Sequence, residues 1–153
     1  MGNFIHINVD SRGVKTALAK APEQIVNAIN LGLRETAVMS QRYYRQNMPV
    51  GATGFLRRST TYSFLNRVTV KVEPYAQYAD YVEYGTKPHW TSVHNLERWA
   101  NLKGINPYAL QRSIAYHGTK PHPFQQKTYE QTASYASEAL HRRVGQAVER
   151  ILE

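Results

Sequence analysis

The sequence predicts an α+β fold, a small and mainly antiparallel sheet packed by a long N-terminal helix and a long C-terminal helix. Three observations predict it. Residues 22–48 place apolar or small side chains at Ile25, Ile29, Leu33, Ala37, Ser40 and Tyr44, stepping by four or three along one helical stripe. The runs STTYSF (59–64) and VTVKVE (68–73) are β-rich, and the second alternates Val68, Val70 and Val72 with Thr69, Lys71 and Glu73. A second helical stripe, Tyr129, Ala133, Ala136, Leu140, Val144, Ala147 and Ile151, runs through the last quarter of the chain.

Taken in order, FIHINV (4–9) alternates Ile5, Ile7 and Val9 on one side and reads as a strand. GVKTALAKA (13–21) reads as a short helix stopped by Pro22. Pro22 and Glu23 suit the first turn of the next helix, where proline's missing N–H costs nothing and a carboxylate meets the positive end of the dipole. That helix spans about 40 Å at 1.5 Å per residue. Gly32 weakens its middle, and Pro49 ends it. PVGATGFLRRS (49–59) is glycine-rich and basic and reads as an exposed loop.

The two β-rich runs turn at Asn66-Arg67, and Pro74 breaks the second. Tyr75, Tyr78, Ala79 and Val82 have i, i+3, i+4, i+7 spacing, so residues 75–85 read as a short helix capped by Gly85. Ser92 caps a helix through Leu102, stopped by Gly104. Asn106-Pro107 opens another, with Gly118 just past its end. The final stripe makes a helix of about seven turns.

At 153 residues, with 42% hydrophobic and 20% charged side chains, the chain reads as one domain over 1–153 with a single core. It has no cysteine, which removes disulfides, thiolate metal sites and cysteine nucleophiles. No apolar run approaches the ~20 residues that span a bilayer, and MGNFIHINVD lacks the pattern of a signal peptide. Nineteen Lys and Arg against eleven Asp and Glu give a net charge of +8, with a pI near 9.8. That surplus points to nucleic acid, an acidic protein surface or anionic lipid as a neighbour. Eleven tyrosines lean toward protein–protein assembly.

The pentapeptide GTKPH occurs twice, from Gly85 and again from Gly118. YADYVEY precedes the first copy and LQRSIAYH the second, so the flanks do not align and no solenoid period exists. Both copies come after a helix and use proline to prevent its continuation. They read as the two hinges of a helical insertion over about residues 86–120. Gly85 and Gly118 permit positive φ there, while Pro88 and Pro121 stiffen the adjoining backbone.

Enzymatic chemistry finds little support. His89, His94, His117 and His122 are the candidates for a metal, but no HExxH or HxxxH pair accompanies them. The acids are scattered, and Asp80 with Glu83 is the one pair sharing a helix face, where Glu83 has the alternative of a nearby Lys or Arg. Neither Ser59 nor Ser113 sits in a nucleophile elbow, and GATG lacks the Lys-Ser/Thr of a phosphate loop. The chain reads as a non-enzyme without cofactor or metal. A basic patch of Arg57, Arg58, Arg67, Lys71 and Lys87, interleaved with Tyr62 and Phe64, fits phosphate contacts and base stacking, or equally docking on an acidic protein.

The order of three segments carries a resemblance. The first is Thr53, Gly54, Leu56, Arg57 and Ser59; the second is Tyr78, Ala79, Tyr81, Val82, Glu83, Tyr84, Gly85 and Thr86; the third is Pro121, Pro123 and Phe124 before a long helix. This resembles the gene-product-ten-like family of tailed-phage neck and tail-completion proteins, from about residue 22 to the end. Trp90, Trp99 and the second GTKPH resemble one branch of it. The sequence departs after Phe124, where QQKTYE stands in place of an apolar residue and a second proline, which bears on where the last helix starts.

The resemblance implies a structural subunit of a ring, commonly sixfold, at the head–tail junction of a virion, assembled in the bacterial cytoplasm, with no cofactor and no turnover. Implied partners are further copies of itself, the tail tube protein, head-completion, adaptor or portal-side neck proteins, and genomic DNA passing without sequence specificity, with no membrane. A head-closure ring under the portal and a non-specific nucleic-acid-binding module are the alternatives. On this reading the candidate contacts between subunits or rings are Thr53, Gly54, Leu56, Arg57, Arg58, Tyr81, Glu83, Tyr84, Lys87, His89, Trp90, Lys120 and His122. Gly85, Thr86, Pro88, Gly118, Thr119, Pro121, Pro123 and Phe124 are the structural turns, with Phe124 plugging the core. Arg67 and Lys71 are the candidate contacts to DNA backbone.

Overall fold

A computed structural model describes residues 5–8, as backbone, and 22–153. The architecture is α+β. Strand β1 (Ile5–Asn8), helix α1 (Glu23–Asn47), the short helix α2 (Phe55–Arg58), strands β2 (Thr60–Asn66) and β3 (Thr69–Pro74), and helices α3 (Ala79–Tyr84), α4 (Val93–Lys103), α5 (Pro107–His117) and α6 (Gln125–Leu152) succeed one another in that order. The short helix expected over 13–21 and strand positions 4 and 9 lie outside the described residues.

β1, β3 and β2 form an antiparallel sheet in that order. The register sets Tyr62 opposite Val72 and Phe64 opposite Val70, and Ile5 opposite Val72 and Ile7 opposite Val70. Val70 and Val72 are fully buried, as the alternation predicts, but of the positions expected to be wet Thr69 is buried and Lys71 and Glu73 are only partly exposed. The hairpin turns one residue later than expected, at Arg67-Val68, and carries a register shift between Phe64 and Asn66. β3 extends through Pro74, which stands opposite Thr60 of β2.

Helix α1 packs its stripe on the sheet and on α6. Ile29, Leu33, Ala37, Ser40 and Tyr44 are buried, and Ile25 is partly buried against the same core. The helix stops at Asn47 because Pro49 forces Met48 into extended backbone, with ψ of 141°. Gly32 is more than a weak point. A Cβ there would lie 3.0 Å from Leu140 Cδ2 and 3.4 Å from its Cα, so glycine lets α6 approach closely.

The two long helices run antiparallel. Asn47 Nδ2 donates to Thr128 Oγ1 (3.0 Å) and Gln131 Oε1 (2.7 Å) at one end, and Glu35 meets Arg142 and Arg143 further along. In the first half of α6 the buried residues are Gln125, Thr128, Thr132 and Ala136. Tyr129 and Ala133, expected inside, are exposed. The helix is thus rotated by one residue from its apolar stripe, and threonines face the core. Thr128 Oγ1 donates to Phe124 O (2.7 Å), a bond to its own preceding turn that lets threonine pack like valine.

Three further expectations need correcting. The loop at 49–59 contains the helical turn α2. The helix expected from Tyr75 starts only at Ala79, and Tyr75 is exposed. Ser92 occupies the N-cap of α4 without a side-chain bond, whereas Asn106 Oδ1 accepts from Tyr108 N (2.9 Å) and caps α5.

Glu35 gives the fold a pH dependence. The Arg143 guanidinium holds its carboxyl below the ordinary 4.5, against the opposite pull of burial, and Arg142 adds to the lowering. A lowered folded pKa means the unfolded chain binds more protons through that range. The stabilisation is therefore complete above the unfolded carboxylate pKa and lost as pH falls through the folded one. Glu35→Gln should cost about 1 kcal/mol at neutral pH, the upper end for a partly exposed pair. Urea midpoints for the two proteins should converge in acid; a constant gap would contradict the assignment.

Candidate interaction surface

The two GTKPH turns meet each other. Thr86 and Thr119 form an isolated antiparallel bridge, each backbone N–H donating to the other's carbonyl at 3.2 Å. Their hydroxyls lie 3.1 Å apart, and Thr119 N also reaches Thr86 Oγ1 at 3.1 Å. Gly85 and Gly118 both have φ of 71°, with ψ of −176° and −158°, a region that only glycine occupies comfortably. A Cβ on Gly85 would lie 2.4 Å from Thr119 O, and one on Gly118 would lie 1.9 Å from Thr86 O. Bare backbone is what lets identical turns clasp face to face.

Local bonds fix the clasp against both sides. His89 Nδ1 contacts Lys87 O at 2.9 Å and Thr86 Oγ1 at 3.3 Å. His89 N donates to Ile114 O of α5 (3.4 Å), while His122 N donates to Val82 O of α3 (2.8 Å). Gln111 Nε2 donates to Thr91 O (2.7 Å), tying α5 to the segment before α4. Pro88 and Pro121 are exposed within these segments. Between α3, the clasp, α4 and α5 lies an open groove of about 970 Å³, whose walls include Tyr81, Val82, Leu96, Trp99, Leu110 and Ile114. Lys87, His89, Lys120 and His122 line it too.

Below the clasp sits a feature that the sequence does not announce. Glu83, placed among the surface candidates, is only 6% exposed. Its Oε2 accepts from Phe124 N (2.8 Å) and Gln125 N (3.2 Å), the first free donors of α6. A carboxylate supplied by α3 therefore caps a helix 41 residues away in sequence and meets the positive end of its dipole. The partner expected for it was a Lys or Arg, or Asp80; the observed partners are backbone N–H groups. Glu83→Gln keeps the shape but removes the charge, and should lower stability by about 1–3 kcal/mol. Urea unfolding at neutral pH checks this; a loss below the measurement error would sink it.

The other candidates divide. Leu56 is buried in the core cluster, so it offers no surface. Arg57 donates from Nε (3.0 Å) and Nη2 (2.6 Å) to Met48 O and holds the end of α1. Arg58 is exposed, bonded through Nη2 to Thr53 O (2.9 Å). Thr53 Oγ1 accepts from Phe55 N (3.2 Å) and, with Gly54 at φ of 64°, starts α2. Tyr81, Tyr84 and Trp90 are exposed, Trp90 by 72%. Phe55 stacks edge-on with Tyr75, ring centroids 6.3 Å apart, and lies 6.4 Å from Tyr78, forming a second exposed aromatic group.

The basic patch with stacking aromatics does not assemble. Arg67 is paired with Glu23 and bonded to Asn27 Oδ1 at 3.1 Å, and the Arg67 guanidinium holds the Glu23 carboxyl below its ordinary value. Lys71 Nζ is 2.6 Å from Glu73 Oε1. Tyr62 and Phe64 are partly buried against the core, and the Arg34 guanidinium lies over the Phe64 ring at 4.9 Å. These rings cannot take a base between them.

Among the described residues, no three His, Cys, Asp or Glu side chains gather as a metal site. His94 faces Glu97 at 3.7 Å, and His117 contacts Ser113 O at 3.2 Å. Ser59 is buried and donates to Leu56 O (2.8 Å). No helix among the described residues is long and apolar enough to cross a membrane.

An α+β chain that exposes this many large aromatic rings has a surface suited to protein–protein contact. A family model described as "Bacteriophage HK97-gp10, putative tail-component" matches residues 12–85, a little under half of the chain. The match takes in the first motif and the second as far as Gly85; Thr86, α4, α5 and the Pro121–Phe124 motif lie beyond it. No curated protein and no solved structure matches the chain.

Proposed function

We propose that the protein is a ring subunit, with six copies to the ring, at the head–tail junction of a tailed phage. There it ends or completes the tail and joins it to the head. The observation that carries this is the number of exposed large aromatic side chains: Tyr75, Tyr81, Tyr84, Trp90, Tyr108 and Tyr116 are each more than half exposed. Large amphipathic rings in water are surface awaiting a partner, since they bring much contact area at small entropic cost. The likeness of residues 12–85 to a phage tail-component family supports this setting. A ring subunit needs two lateral and two axial surfaces, and exposed aromatic side chains spread over α3, the segment before α4, and α5 offer contact area for them.

On this reading the partners are neighbouring copies, the tail tube protein and the head-completion, adaptor or portal-side proteins, with genomic DNA passing through the channel without sequence readout. The site of action is the neck of the virion, after assembly in the host cytoplasm. The functional turns are Gly85, Thr86, Pro88, Gly118, Thr119, Pro121, Pro123 and Phe124, which set the geometry of the contact surface. The contacts themselves fall to Arg58, Tyr81, Tyr84, Lys87, His89, Trp90, Lys120 and His122.

Negative-stain microscopy of a lysate from the parent phage lacking this gene tests the reading. Filled heads beside detached, overlong tails are expected. Emptied heads beside tails of normal length would assign head closure instead, and intact infectious virions would overturn the neck reading.

A further inference from the structure

We propose that the groove between the clasp and helices α4 and α5 receives the C-terminal end of α6 from a second copy of this chain. The proposal rests on the ring reading and names the contact that would build the ring. The groove's walls are apolar, Trp99 and Ile114 among them, and its lining includes Lys87 and Lys120 but no Asp or Glu. Neither lysine forms an ion pair among the described residues. An occupant that is apolar and acidic is what this surface fits.

The end of α6 has that character. Val148 and Leu152 are one helical turn apart on one face, and Leu152 is 81% exposed. Glu149 and Glu153 are exposed beside them. Arg150 and Ile151 lie on the other side, in the cleft against α1. The last turns therefore present an apolar ridge flanked by two carboxylates.

Geometry decides which copy supplies it. α6 begins at Gln125, three residues after His122, which lines the groove. It then runs as one unbroken helix of 28 residues, about 40 Å at 1.5 Å per residue. A helix pinned beside the groove at one end cannot return its other end to it. The ridge can reach only the groove of another copy. Such a contact joins unlike surfaces, and repeating it closes a ring or extends a filament.

The chain has no cysteine, so a disulfide can report the contact cleanly. Ser113 lines the groove and is exposed, as is Leu152. Ser113→Cys in one copy mixed with Leu152→Cys in another should yield a covalent heterodimer under mild oxidation. Both substitutions in one chain should give a ladder ending at a closed oligomer. Glu138→Cys, midway along α6 and exposed, should not link to Ser113→Cys.

In the second arm, Lys87→Glu with Lys120→Glu should weaken self-association about tenfold or more, as should Glu149→Lys with Glu153→Lys. The fourfold variant should recover to within about threefold of the original. Circular dichroism confirms that each variant is folded. Closed oligomers that never link through Ser113 and Leu152, or charge reversals without effect, would place the contact elsewhere and overturn this proposal while leaving the ring intact. No association at high protein concentration would also overturn it; the neck reading is judged separately by the phage imaging.

Discussion

Phe124→Ala is expected to lower folding stability by about 3–5 kcal/mol, the range for emptying an aromatic site in a packed core. Phe124 is fully buried, and its ring meets Tyr44 edge-on with centroids 6.1 Å apart and planes at 66°. It sits in the cluster of Leu33, Ala37, Met48, Val70 and Val72, where α1, the sheet and the start of α6 converge. The cavity would open at the joint between three elements, which cannot all collapse into it. Tyr129→Ala gives the contrast. The apolar stripe places Tyr129 inside, yet it is exposed by 53%, so its loss should stay within about 0.5 kcal/mol. Thermal or urea unfolding separates the two. Equal losses would mean that α6 is rotated back onto its apolar stripe.

Gly118→Ala is expected to open the clasp without unfolding the core. Two penalties coincide at this position. The backbone, at φ 71° and ψ −158°, costs a side-chain-bearing residue about 1–3 kcal/mol. The new Cβ would also fall 1.9 Å from Thr86 O, so the bridge must separate. Hydrogen exchange should then speed across α4 and α5, while amides of α1 and β3 stay protected. Gly104→Ala controls for the backbone alone. Gly104 has φ of 65°, but a Cβ there would meet nothing within 4 Å, so its cost should be about 1 kcal/mol. If Gly118→Ala behaves like Gly104→Ala, the two turns are not in contact.

The α1 stripe and the Val70–Val72 alternation are legible in the sequence because an apolar side chain repeated at a helical or strand period has one place to go. Gly85 and Gly118 are legible as special backbone from their setting after helices and before prolines. That the two turns pair with each other is not, since pairing across 33 residues leaves no local mark.

Glu83 misleads for a related reason. A glutamate on a short helix reads as surface, and only the fold brings the uncapped start of α6 to its carboxylate. Thr128 and Thr132 escape a reading of apolar stripes because threonine counts as polar, although each has a methyl to pack and the Thr128 hydroxyl is bonded to its own helix. Gly32 reads as a fault in α1 until Leu140 is placed against it. Arg67 and Lys71 read as free to hold phosphate because their carboxylate partners, Glu23 and Glu73, are assigned by the fold or by side-chain direction. Of the candidate surface, the aromatic residues are legible by type, but the groove is not, because it exists only where α3, α4 and α5 come together.

The clasp carries a consequence for how such a protein can change. A segment whose two ends are held one hydrogen bond apart behaves, to the rest of the chain, like a short turn. Lengthening or shortening the chain between Thr86 and Thr119 alters loop-closure entropy only slowly, by about 0.6 kcal/mol per doubling. The sheet, α1 and α6 need not move. To the scaffold, α4 and α5 thus count as one closed loop, whose length can change while the scaffold keeps its own register.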